Sequence, residues 1–160
     1  MRKIIVIATI LTILVIVNIS INQREKLLTH GEIVLLELVP VYTRSLMQGV
    51  YMALRFQIAM DAFRKADYLS EFEDGYIVAN LDKHKVAKFK RLAKGMEVSE
   101  GETLLRYRIR NQKPKFATNA FFFQEGKADH YAGARYGEFR VSPNGDMILT
   151  GLRGVDFQQL

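Results

Sequence analysis

The stretch from Glu125 to Glu138 holds the side chains best suited to acid–base chemistry: Glu125, Asp129, His130 and Glu138 fall within one short segment. Carboxylates beside an imidazole form an oxygen/nitrogen cluster of the kind a small hydrolase uses, one group taking a proton while another gives it. The simpler reading, and the favoured one, is a hydrated helical turn between strands, with His130 the residue to mutate first. His30, His84 and His130 are the only histidines, none pairs at helical spacing, and cysteine is absent. That pattern lacks the ligand spacing of a structural zinc site, so neither a metal nor a cofactor is expected. Ser45 precedes Gly49 by four residues. This invites comparison with the Ser-Lys dyad of signal peptidases, but there the serine stands at twice that distance from its glycine, and no matching lysine motif follows here. A nucleophilic serine also needs a base within hydrogen-bond reach. Gly49 itself suits a turn or a close backbone approach, since a phosphate-cradling loop would need further glycines and a helix start.

Charge is concentrated. The chain carries a net charge of +6, yet residues 82–115 alone sum to +7, with eleven Lys/Arg against four Asp/Glu. Arg106, Arg108 and Arg110 alternate with Leu105, Tyr107 and Ile109, so they share one face of a strand at a spacing of roughly 6.5–7 Å. Lys88, Lys90 and Arg91 add to the same basic stretch. The plain reading is a solvated sheet face. The functional one is contact with an anionic surface such as lipid headgroups, an envelope polymer or an acidic partner. No nucleic-acid-binding motif accompanies these charges, and none is expected to act on an exported domain.

These residues need elements to hold them, and the first is not part of a soluble fold. Residues 4–21 contain no charge. Eighteen residues of helix span roughly 27 Å, close to a hydrocarbon core. Arg2 and Lys3 precede the segment as in a secretory signal, but 18–23 offer no small-residue cleavage site. An uncleaved anchor (1–21) is therefore favoured, followed by a polar connector (22–31) in which Leu27 and Leu28 continue the helix toward a stop at Gly31. The basic N-terminus gives a small bias for an inner-membrane, N-terminus-inside orientation with the C-terminal domain in the periplasm.

Residues 32–160 form one β-rich domain. The run 32–41 reads as a strand buried on both faces and ended by Pro40. Val50 to Met60 alternates with period two and reads as a long half-buried strand. Residues 61–72 read as a helix N-capped by Asp61. A hairpin is expected at 76–81 and 86–92, an alternating strand at 102–110, a break at Pro114, a short aromatic strand at 120–124 and a helical turn within 127–134. A second hairpin, 138–141 with 147–152, turns at Asn144-Gly145. Phe121-Phe122-Phe123 must send at least one ring away from its neighbours' face, toward a helix, the membrane or a partner. The expected fold is α+β: an N-terminal transmembrane helix and a single domain of about seven mostly antiparallel strands with one or two short helices.

The approach to the alternating segment, Pro40-Val41-Tyr42-Thr43-Arg44, with Gly49, Tyr51, Leu54 and Phe56 beyond it, resembles the signature of the GDYXXLXY family of small bacterial membrane-anchored proteins. Gly49, Tyr51 and Leu54 match. Val50 stands where the family has Asp, and Phe56 where it has Tyr. A second block, 122–126 with 134–141, resembles the same family. The resemblance implies no established activity. It implies a neighbouring polytopic membrane protein as partner, and Val50 removes a carboxylate that could have capped a turn or done chemistry. The leading expectation is therefore a non-catalytic, single-anchor envelope protein that binds a polytopic membrane protein. The alternatives are a small membrane-anchored hydrolase near Glu125–Glu138, and a binder of anionic lipid or envelope polymer through the basic stripe.

Overall fold

The computed structural model describes residues 2–39, 47–48, 51–64 and 73–160, with backbone alone at 2 and 47–48. Pro40, Val41, Arg44, Ser45, Gly49 and Val50 lie outside the described residues, as does the greater part of the helix expected over 61–72.

The N-terminal element is one helix, α1 (Arg2–His30), long and apolar enough to cross a membrane. Its polar side chains turn back on their own backbone. Thr9 and Thr12 donate to the carbonyls of Ile5 and Ala8, and the Asn18 amide donates to Leu14, each at 2.9 Å. The anticipated connector is the last part of the same helix, because nothing between 22 and 30 breaks it. Leu27 is half-buried, while the other described side chains of α1 are exposed. The stop comes at Gly31, whose N–H donates to the Leu27 carbonyl at 2.9 Å. A Cβ at Gly31 would meet that same carbonyl oxygen and lie 3.1 Å from the Arg140 Cβ. Arg140 also donates to the Gly31 carbonyl at 3.0 Å, which fastens the helix end to the domain.

Ten strands follow among the described residues, four of them only two or three residues long. β1 (Glu32–Glu37), β9 (Tyr136–Val141) and β10 (Met147–Arg153) make one sheet in the order β1-β9-β10. β2 (Met47–Gln48), β3 (Tyr51–Ala53) and β8 (Ala120–Phe122) make a second, and β4 (Gly75–Leu81), β5 (Ala87–Ala93), β6 (Glu102–Arg110) and β7 (Lys113–Lys115) a third in the order β5-β4-β6-β7. All named strand pairs are antiparallel, as expected. β1 is buried on both faces, with Val34, Leu35 and Leu36 at most 3% exposed. Its Leu35 makes a parallel bridge to Val86, joining the first sheet to the edge of the third. The expected hairpins form. Asp82 closes the β4–β5 turn by accepting the N–H groups of His84 and Val86, and Gly145 takes φ +82 in the β9–β10 turn.

Two expectations are corrected. Pro114 does not break the chain: it pairs with Ile109 in β7, an edge strand, where a missing N–H is tolerated. Asn111 and Gln112, both at positive φ, make the tight turn into it. Nor is the alternating segment one long strand. β3 ends at Ala53, and α2 (Gln57–Ala62) begins within the supposed strand, with Phe56 rather than Asp61 at its N-cap position. The apolar set Ile58, Ala59, Ala62 and Phe63 also satisfies helical spacing, and it packs against the core while Met60 is 57% exposed. Asp61 sits inside the helix and accepts from Gln57 at 2.9 Å, an i, i+4 pair.

The core lies where the sheets meet. Phe56, 1% exposed, is packed edge-on by Phe116 and Phe139 with ring centroids 5.5 Å away in each case. Phe63 meets Tyr107 in the same way at 5.1 Å. β6 therefore has a determined orientation. Leu105 and Tyr107 point into this core, and Arg106, Arg108 and Arg110 must point out.

Candidate functional site

The arginines of β6 differ sharply in their surroundings. Arg110 holds the Asp74 carboxylate with two N–H groups, at 2.9 and 3.0 Å, and Asp74 also accepts the Ile109 N–H at 2.8 Å. Those hydrogen bonds, the Arg110 guanidinium first, hold the Asp74 carboxyl below its usual value. Arg106 pairs with Asp146 at 3.2 Å. The β9–β10 turn is pinned there as well, since the Arg106 backbone N–H donates to the Gly145 carbonyl at 3.0 Å. Arg108, between them, is exposed and has no carboxylate partner among the described residues.

The rest of the basic stretch is largely neutralised by the fold. Lys85 pairs with Glu32 at 2.8 Å and Lys88 with Glu37 at 3.0 Å, tying the β4–β5 turn and β5 to β1. Lys90 and Arg91 both reach Glu102, at 2.7 and 3.3 Å. Consecutive strand residues normally point to opposite faces, but the register slips between β4 and β5 here, and such a bulge re-aims a side chain. The Glu102 side chain is only 4% exposed. Its carboxyl is held below the usual range by Lys90 first and then by the Ser99 N–H. Six of the eleven cations thus have carboxylate partners, and the local excess of charge is smaller than composition implies.

The unpaired charge meets a second element. Ser20, Gln23, Arg24 and Leu27 lie on one face of α1 and form one wall of a cleft of about 420 Å³. Arg106, Arg108 and Asp146 stand on the opposite wall. Arg24 likewise has no carboxylate partner among the described residues. In sequence Arg24 is simply the first charge after the apolar stretch. The signal that places it here is the 20/23/24/27 spacing, which requires knowing that the helix continues past residue 21. An adjoining cleft of about 320 Å³ shares Arg24 and is lined mainly by apolar residues, among them Phe121, Phe122, Ile148 and Leu149, with Thr118 beside them. Phe121 and Phe123 pack on Tyr131 at 4.9 and 5.4 Å, and Phe122, 71% exposed, is the ring that leaves them.

The acid–base set is not assembled in the same way. Glu125, Asp129 and His130 are exposed. Glu138 is bound by Arg153 and by the Thr150 hydroxyl, the latter at 3.1 Å. The register shift that leaves Thr150 between Leu149 and Gly151 brings that hydroxyl to it. No hydrogen bond or ion pair links Glu125, His130 and Glu138 among the described residues, and no group of three His, Asp or Glu there is placed to hold a metal. Of the motif residues, Leu54 and Phe56 are core, 3% and 1% exposed. Tyr51 pairs with Phe122 across the β3–β8 ladder, with ring centroids 5.8 Å apart. A stack of His84, Phe157 and Tyr136, at 4.5 and 4.9 Å, was not anticipated, because 73 residues separate His84 from Phe157.

A family model described as GDYXXLXY protein matches residues 13–152. No curated protein and no solved structure matches the chain.

Proposed function

Since the chain belongs to the GDYXXLXY family and carries one helix able to span a membrane, we propose that it is a single-pass protein of the bacterial inner membrane whose periplasmic β-rich domain binds a polytopic membrane protein without catalysing a reaction. The observation that carries this reading is the manner of attachment. α1 continues past the apolar stretch to His30, and β1 starts two residues later at Glu32. Nine residues of helix beyond Ile21 amount to roughly 13 Å, and the Arg140–Gly31 hydrogen bond fastens the junction. A domain seated that close to the bilayer is within reach of partners in the membrane plane. The neighbouring polytopic protein implied by the family supports the same choice. The hydrolase alternative gains no support from contacts, since Glu138 is engaged by Arg153 and Thr150 and no hydrogen bond or ion pair joins it to Glu125 or His130 among the described residues.

Purification of the tagged full chain in mild detergent tests this. A multispanning protein recovered in fixed stoichiometry is the expected result, and repeated recovery of the chain alone would end the proposal. A reporter that works only in the periplasm, fused after Leu160, checks the side of the membrane.

A further inference from the structure

The cleft lined by α1 and β6 gathers unpaired positive charge in a way that partner binding does not explain. The apolar stretch ends at Ile21, and Arg24 lies three residues, or roughly 4.5 Å, farther along the helix. The polar layer of one leaflet is about 5–7 Å thick, so Arg24 sits at headgroup level with Ser20 at the hydrocarbon boundary. Arg24 and Arg108 reach the same cleft without a carboxylate partner among the described residues, and the one acid in its wall, Asp146, is held by Arg106. The next cleft along is lined mainly by apolar residues, with Thr118 among them, and includes the exposed ring of Phe122.

We propose that this cleft binds the phosphodiester of an anionic phospholipid from the leaflet in which α1 ends. Arg24 and Arg108 donate to the phosphate oxygens, and Arg106 is kept as a rigid flank by Asp146. Phe122 rests against the lipid's glycerol and upper acyl region. A guanidinium offers planar, paired donors that fit phosphate oxygens. The apolar neighbouring wall favours a lipid over a free anion, because a free anion gains nothing from Phe122, Ile148 and Leu149. The site is independent of the partner reading, since it uses the junction and not the domain's other faces.

The chain has no tryptophan, so Phe122→Trp in the full-length protein supplies a single fluorescent reporter at the site. In nanodiscs of phosphatidylcholine with a minor fraction of phosphatidylglycerol, bromine-labelled acyl chains are placed on one lipid or the other. The expected result is stronger quenching by brominated phosphatidylglycerol at equal mole fraction. In the Arg24→Gln/Arg108→Gln background that preference falls roughly twenty-five-fold, about a factor of five for each guanidinium near an anionic leaflet. Arg135→Gln, an exposed arginine outside the cleft, leaves it unchanged. Equal quenching by the two lipids, or a preference that survives the double substitution, would overturn the proposal. Inorganic phosphate at constant ionic strength separates the two sources of phosphate: if it abolishes the preference, the site takes a free anion and the lipid assignment is wrong. Native mass spectrometry of the unsubstituted protein released from the same mixed bilayer is the check if the double variant fails to fold. Retained phosphatidylglycerol supports the site, and its absence alongside retained phosphatidylcholine rejects it.

Discussion

Glu138 and Arg108 both stand at outward positions on strands whose other face is core, but their surroundings are opposite. Glu138 faces a closed set of partners. Arg153 and Thr150 take its oxygens, and Arg153 also donates to the Phe157 carbonyl at 2.7 Å, so the C-terminal turn is built around this carboxylate. Arg108 faces an open cleft, with a helix from another part of the chain across it. The fold uses one charge to hold itself together and leaves the other available. Charge left over after the internal pairs are made, rather than charge as counted along the chain, marks where an external anion can be recognised.

The largest expected effect concerns what aims the arginines. Leu105→Ala removes a side chain that is 0% exposed and should cost about 2–5 kcal/mol, measured by denaturant or thermal unfolding. Loss of less than 1 kcal/mol would mean that the inner face of β6 does not set its outer face. Next, Glu138→Ala should cost about 1–3 kcal/mol, because it strands Arg153, whose side chain is 28% exposed. Arg108→Gln should fall within about 0.5 kcal/mol of the unsubstituted chain, as a surface change away from any internal pair does. Equal losses for the two would erase the distinction drawn above.

Acid sharpens it without a large substitution. Hydrogen bonds hold the Asp74 and Glu102 carboxyls below their ordinary values of 3.8 and 4.5 in the folded chain. Their contribution to stability is therefore complete above those ordinary values and is lost as the pH falls through the lowered folded ones. Asp74→Asn should flatten the acid limb of a stability–pH curve, and Arg108→Gln should move that limb far less, since Arg108 acts on Asp74 only as a distant charge behind the Arg110 and Ile109 hydrogen bonds. An acid limb unmoved by Asp74→Asn would show that the Arg110–Asp74 pair is not maintained in solution.

Much of this arrangement is legible in the sequence where local rules decide it. The bounds of β6 follow from strict alternation, the β9–β10 turn from Asn144-Gly145, and the end of α1 from Gly31. The segment from Val50 to Met60 is misleading because its apolar residues fit period two while Ile58, Ala59, Ala62 and Phe63 also fit a helix, and tertiary packing around Phe56 selects the latter. The pairing of the basic stripe is not legible at all. Asp74 and Asp146 lie 36 and 40 residues from Arg110 and Arg106, and only the sheet order and the docked turn bring them together. Arg24 enters the cleft for a similar reason, through the packing of α1 beside the domain.

The smallest effects are expected at the residues that spacing made most attractive. Glu125 and His130 are exposed, on a loop and a helical turn of four residues, α3 (Ala128–Tyr131), and neither has an ion-pair partner among the described residues. Glu125→Gln and His130→Ala should each change stability by less than about 0.5 kcal/mol. They should also leave recovery of the membrane partner and the lipid preference unaltered. A variant that keeps its fold but loses a cellular function would restore the acid–base reading, because a proton-transfer group acts through its own pKa and not through packing. The outcome is informative because Glu138, thirteen residues from Glu125, is already committed to Arg153. Any chemistry in that segment would have to work without it, from two side chains that the fold leaves in water.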